Sequence, residues 1–269
     1  MTTKKPRRVY KDAAGNKLPS VTEILGGLGW KYGPLMQWAN RLGREGKTLS
    51  EGSRDAMDIG TVAHELIDAF ITGRSSMKTE RPDGVSVDVW LAAIDVHRKF
   101  LAWWESEHMH LRFVPLASEL AMVDHARGFG GTADLIGLLD GEPIVLDYKT
   151  GKSIYAETAL QLQAYAELWA ASGYLSDEDG DGEAPDSLRF LRNRHRHISR
   201  IGIIHIPVEG RVSFVEVPQE VVYSARQLWP ALLEMSKHRR AFDGFSKRLQ
   251  EMVKHDDSGE KRNESKAPF

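Results

Sequence analysis

The chain of 269 residues carries 41% hydrophobic and 28% charged residues, which excludes fibrous and wholly disordered classes and fits one large globular domain, or one with extensions. Its 36 Lys and Arg against 38 Asp and Glu leave a formal net charge of -2, so a nucleic-acid partner must be held by a local basic patch and not by the overall field. Cysteine is absent, which excludes disulfides, zinc-thiolate sites, iron-sulfur clusters and cysteine nucleophiles. Apolar runs fall far short of the roughly 18 residues of a membrane helix, and the basic start (Lys4, Lys5, Arg7, Arg8) leads into no signal-type segment. The expectation is a cytoplasmic protein without a membrane partner.

Residues 1–17 are polar and basic, with a turn signal at Gly15-Asn16, and read as an arm. A short helical pattern runs from Ser20 to Leu28 before Gly29. Pro34 suits a first helical position, and Leu35, Met36, Trp38, Ala39 and Leu42 make an apolar stripe opposite Arg41 and Arg44. Further helices are expected over residues 61–71, stopped by Gly73, and over 85–108, where Val89, Ala93, Val96, Phe100 and Trp103 recur at three-to-four spacing. Strands follow over 113–123, 130–139 and 142–149, the last two joined by a hairpin at Asp140-Gly141. A helix over 156–171, strands over 198–207 and 211–217, and a helix over 219–242 complete the pattern. The fold class is α/β, a central mixed sheet flanked by helices, with a helical portion over 18–110 and a core over 111–243 in one domain. Residues 176–187 read as an acidic loop, and 244–269 as a polar, disordered tail.

The sharpest chemical signal is Asp147-Tyr148-Lys149 at the end of the apolar run Ile144-Val145-Leu146. Side chains two apart on a strand share a face, so Asp147 and Lys149 point the same way. An ordinary surface ion pair would explain the tripeptide alone. Gly130-Gly131-Thr132-Ala133-Asp134 puts a second carboxylate on the neighbouring strand, and Glu119 a third on the strand before it. Clustered carboxylates repel unless a cation neutralises them, and hard oxygen ligands suit magnesium or manganese. One or two such ions, with a lysine nearby, are suited to phosphodiester hydrolysis.

These residues, with Gly60-Thr61-Val62-Ala63-His64 and Gln161-Leu162-Gln163-Ala164-Tyr165, resemble the PD-(D/E)XK nuclease superfamily and, within it, the RecB-type exonuclease branch. The resemblance spans residues 60–165 in the family's order and implies a restriction-endonuclease-like fold and a metal-dependent deoxyribonuclease. It implies Asp134, Asp147, Lys149 and Glu119 as catalytic residues. It also implies a Mg2+ or Mn2+ site of one or two ions held by His64, Asp134, Asp147 and the Tyr148 backbone carbonyl, with Lys149 positioning or activating the attacking water. Gln161 and Tyr165 match a Q-x-x-x-Y motif beside the site. They lie one helical turn apart on one face and could contact a phosphate or base, or be a surface amide and a core ring. CRISPR-associated members of the branch commonly carry a cysteine-ligated iron-sulfur cluster; without cysteine, this chain is nearer a phage or recombination exonuclease acting on single-stranded or end-bearing DNA in a prokaryotic or phage-infected cell. A recombination or replication protein is the expected partner class. A catalytically silent DNA-binding or assembly subunit is the alternative.

Other signals carry less. His64 and Asp68 sit at the ligand spacing of a zinc-protease helix, but the second histidine is replaced. Asp177, Asp179, Asp181 and Gly182 fit part of a calcium loop, with Leu188 where a bidentate glutamate belongs. Arg189, Arg192, Arg194, Arg196 and Arg200 form the densest basic run, expected to neutralise DNA phosphates. Trp103 and Trp104 adjoin on the long helix, one of them a candidate for stacking on a base.

Overall fold

The computed structural model describes residues 8–30, 32–46, 48–73, 80–171 and 186–264. Ser20 opens α1 (Val21–Leu25) with a reciprocal cap: its hydroxyl accepts the Glu23 N–H while the Glu23 carboxylate accepts the Ser20 N–H. A 3-10 turn (Gly26–Leu28) leads to Gly29, whose φ of 70° is the left-handed region that glycine adopts without strain. Then come α2 (Tyr32–Arg44), α3 (Leu49–Ile71), α4 (Val87–Ser106) and the single turn α5 (Met109–Arg112). Pro34 is the third residue of α2, where a missing N–H still costs nothing because the first four are unpaired within the helix.

Strands β1 (Phe113–Asp124), β2 (Phe129–Leu139), β3 (Glu142–Lys149), β4 (Arg200–His205) and β5 (Ser213–Glu216) lie side by side in chain order. All pairs are antiparallel except β3 with β4, whose parallel pairing requires the crossover through α6 (Glu157–Ala170) and α7 (Asp186–Arg194). The sheet is mixed, flanked by helices, with a helical N-terminal portion, as the sequence pattern predicts. The β2–β3 turn has φ of 55° at Asp140 and 85° at Gly141, the two positive values of the expected hairpin.

The strand period divides the core. On one face α1, α6 and α8 (Gln219–Glu264) cover Met122, Phe129, Ala133, Val145 and Ile203. On the other, α3 and α4 cover Leu135, Ile144, Leu146, Tyr148 and Ile204. Each such side chain, fully buried, contributes about 1.5–3 kcal/mol. The adjoining Trp103 and Trp104 of α4 belong to the second cluster, at 9% and 5% exposure. Trp104 stands edge-on to Phe113 at 5.7 Å and tilted against Phe100 at 5.4 Å, so neither ring is presented to a base.

Three helices depart from the expected bounds. α3 begins at Leu49 and not at residue 61; its first turns lack a wide apolar stripe and pack through Gly52, where a Cβ would meet Leu42 at 2.6 Å. α7, which no apolar stripe signals, carries Arg189, Arg192 and Arg194 of the arginine run, while Arg196 follows the helix and Arg200 opens β4. α8 continues past Phe242 to Glu264, so the stretch expected as a disordered tail is helical over 244–264, while Phe245 and Met252 on it remain exposed. The interval between Gly244 and Gly259 holds no proline, so nothing in it ends the helix. Most of the acidic loop, and with it the calcium-loop pattern, lies outside the described residues.

Candidate metal and catalytic site

The alternation of β2 breaks at one residue. Ala133 and Ile136 point into the α6 cluster and Leu135 into the α3 cluster, so the phase shifts across Asp134. On β1 the partner position is Glu119, which takes a φ of 49°; pairing resumes on either side, Ser118 with Leu135 and Leu120 with Ala133. Local ladder breaks of this sort re-aim side chains. Here the two carboxylates come together, and Asp134 Oδ2 is fixed by accepting the Tyr148 N–H at 2.9 Å.

Helix α3 adds His64. Its Nδ1 is 3.6 Å from Asp134 Oδ2 and 4.0 Å from Glu119 Oε1, and its ring meets Tyr148 edge-on at 5.4 Å. One ligand atom from each of His64, Glu119 and Asp134 lies within 4.8 Å of the others. At the end of β3, Asp147 and Lys149 share a face as their spacing requires, with Asp147 Oδ2 2.7 Å from Lys149 Nζ. Lys149 Nζ also donates to Gln161 Oε1 at 3.4 Å, and Gln161 Nε2 donates to the Tyr165 hydroxyl at 2.9 Å. A polar chain therefore runs from β3 onto one face of α6.

Burial sets the electrostatics. The Asp147 side chain is 1% exposed, and desolvation, then the nearby Asp134 charge, pushes its pKa up to about 6 despite Lys149. Desolvation also raises Asp134. It lowers His64 to about 4, against the pull of Asp147 and a hydrogen bond with the Tyr148 backbone. At neutral pH His64 is therefore uncharged, and its 3.6 Å approach to Asp134 is neither an ion pair nor a hydrogen bond. Burial disfavours the Lys149 ammonium, yet Asp147 and Asp134 hold its pKa above the ordinary lysine value. A neutral imidazole beside carboxylates that repel one another is a donor set that fits a divalent cation. Asp68, one turn from His64, is outside that group, so the zinc-protease spacing does not become a site among the described residues.

The sequence profile of the PD-(D/E)XK nuclease superfamily matches residues 35–256. The chain belongs to this superfamily. No curated protein sequence matches the chain. Superfamily membership implies a metal-dependent nuclease with DNA as the substrate class, and the mixed sheet is consistent with the superfamily's restriction-endonuclease-like fold. Among the described residues no helix is long and apolar enough to cross a membrane.

Within this superfamily member, the glycines of Gly130-Gly131-Thr132 have a steric reason. A Cβ at Gly131 would meet Tyr165 Cε1 at 2.7 Å, and one at Gly130 would meet the Tyr10 ring at 2.5 Å. Tyr165, 4% exposed, is thus a buried ring whose hydroxyl serves Gln161. Tyr10 escaped the sequence reading; its hydroxyl bonds Thr132 Oγ1 at 2.8 Å, a contact across most of the helical portion that no local pattern signals.

The arginine run is elsewhere. Arg192 Nη1 donates to the Ala171 carbonyl at 3.0 Å and Arg196 Nε to that of Ala170 at 2.8 Å, at the opposite end of α6 from Gln161. Cations there suit the negative end of the helix dipole. Arg200 pairs with Glu216 at 2.7 Å and donates to the Leu139 carbonyl at 2.9 Å, pinning the sheet. Arg189 and Arg194 are exposed on α7.

Proposed function

We propose that the chain is an exodeoxyribonuclease of the RecB-type branch, hydrolysing DNA phosphodiester bonds in recombination, repair or phage DNA processing. The observation that carries the reading is the convergence of His64, Glu119 and Asp134 beside the Asp147–Lys149 pair. His64, Asp134, Asp147 and the Tyr148 carbonyl would hold Mg2+ or Mn2+, with Glu119 completing the acidic set. Once bound, the cation supplies an acidified water and positive charge against the phosphate.

The residues around it have separable tasks. Lys149 is kept as an ammonium, so it donates: it orients the water and stabilises charge that develops on the phosphate oxygens. The water oxygen forms a bond to phosphorus and gives up a proton to solvent, the bond from phosphorus to one sugar oxygen breaks, and that oxygen takes a proton from solvent to leave as a hydroxyl. Gln161, held by Tyr165 and touching Lys149, positions the nucleotide beside the reacting group. Arg189, Arg192, Arg194 and Arg196 would form an outlying track for phosphates.

The test is incubation with end-labelled linear and closed circular DNA, single- and double-stranded, in Mg2+, Mn2+ or chelator. Loss of linear DNA from its ends, sparing circles and stopped by chelator, is expected. Circles cut as fast as linear strands would make it an endonuclease; binding with no hydrolysis in either metal would make it a silent subunit.

A further inference from the structure

Between the turn after α1 and the start of α6 is a concavity of about 190 Å³ whose lining includes Thr22, Trp30, Tyr32, Leu35, Glu157 and Gln161. Two of its walls are aromatic and face water: Trp30 is 49% exposed and Tyr32 64%. The Tyr32 ring lies against the backbone of Gly29, where a Cβ would come within 3.0 Å of Cδ2 and Cε2. The Tyr32 N–H is also bonded to the Gly29 carbonyl at 2.9 Å, so the left-handed turn sets the direction in which the ring leaves the backbone. Gln161 belongs both to this concavity and to the site, since its Oε1 accepts from Lys149. One of its two Nε2 hydrogens goes to Tyr165, and the second can meet a base edge.

Resting on the nuclease reading above, we propose that this concavity takes an unpaired nucleobase of the strand being cut, making single-stranded DNA the preferred substrate. Flat aromatic walls stack on any base, because every base has a π face. Glu157 in the lining disfavours a phosphate, so the base and not the backbone enters. In a duplex the base faces are covered by their neighbours and cannot reach Trp30 or Tyr32. Continuity through Gln161 puts the stacked base next to the phosphate that Lys149 addresses.

The experiment uses the full chain in chelator, so that binding is read without hydrolysis. Fluorescence anisotropy follows a labelled thymidine oligonucleotide and a blunt duplex of matching length, with Trp30→Ala, Tyr32→Ala and the conservative Trp30→Phe and Tyr32→Phe. Each alanine variant should weaken single-strand binding by roughly tenfold and leave duplex binding unchanged; the phenylalanine variants should recover most of the loss. A 2-aminopurine base in the strand should be quenched on binding and released from quenching by Trp30→Ala. Single-strand affinity unmoved in both alanine variants, or an equal loss for duplex, overturns the base site. If wild-type protein binds single strands in this Trp30-dependent way yet hydrolyses none in Mg2+ or Mn2+, the nuclease reading fails and the base site stands.

Discussion

The Asp147 carboxylate and the Lys149 ammonium stand 2.7 Å apart with Asp147 almost wholly buried, and yet the carboxylate's pKa is pushed up to about 6. The partner does not repay the burial. A carboxylate raised above its unfolded value adds stability that is full below the unfolded pKa and is lost as pH rises through the folded one. At pH 7 the ionised Asp147 therefore costs stability. Asp147→Asn keeps the shape but removes the charge that holds the Lys149 ammonium, and metal-dependent turnover of the folded variant should fall by on the order of 10²–10³-fold. A folded variant with near-normal turnover would falsify the assignment.

Metal affinity should follow the carboxylates and not the imidazole. His64, lowered to about 4, stays neutral down to mildly acidic pH, whereas Asp147 takes up its proton near 6. Since ligands must be deprotonated to bind, Mg2+ or Mn2+ affinity measured by calorimetry should fall as pH drops through about 6. His64→Ala should weaken affinity at every pH without moving that midpoint. A midpoint at the free histidine value, abolished in His64→Ala, would contradict this ordering.

Tyr165→Phe separates holding from stacking. The ring is buried against Gly131, so the lost group is only the acceptor for Gln161. The substitution should cost about 0.5–1.5 kcal/mol of stability. If Gln161 positions the nucleotide, Tyr165→Phe and Gln161→Ala should lower turnover non-additively; strict additivity in the double variant would uncouple them.

Gly131→Ala tests the packing beneath the site. The added methyl meets Tyr165, Val21 and Leu168 at 2.7 to 3.1 Å, so the cost should be about 1–3 kcal/mol and the melting temperature should fall by several degrees. An unchanged melting curve would mean that these side chains move aside freely.

The arginines on and just after α7 should divide by their partners. Arg192→Ala and Arg196→Ala remove donors from the end of α6 and should lower the melting temperature. If exposed Arg194 meets a phosphate, Arg194→Ala should flatten the log-log salt dependence of DNA binding by roughly 0.7–0.9 without affecting stability. A slope identical to wild type would remove it from the phosphate track.

The strand segments and the β2–β3 hairpin were legible because alternation and the Asp140-Gly141 pair are local signals. The shared face of Asp147 and Lys149 followed from the strand period alone. The approach of Glu119 to Asp134 was not legible to that degree: it depends on a phase shift within β2 and a positive φ at a glutamate, neither written in hydrophobic pattern. His64 and Tyr10 are brought in by helix docking and by the arm, contacts between residues distant in the chain. The extra turns of α3 and the whole of α7 were missed because their sequences are too polar to show a wide stripe.

The ladder break at Asp134 sits on strands that local hairpin closure can pair early, whereas His64 reaches it only when α3, far back in the chain, packs across the sheet. Contacts of long sequence separation carry their loop-closure entropy before they are rewarded, and form slowly. During refolding, the backbone signal of the β1–β3 meander should therefore recover ahead of any capacity to bind Mn2+. A nascent chain that has completed its sheet but not yet docked α3 would present its acids without their imidazole, and would pass through that stage unable to cut DNA.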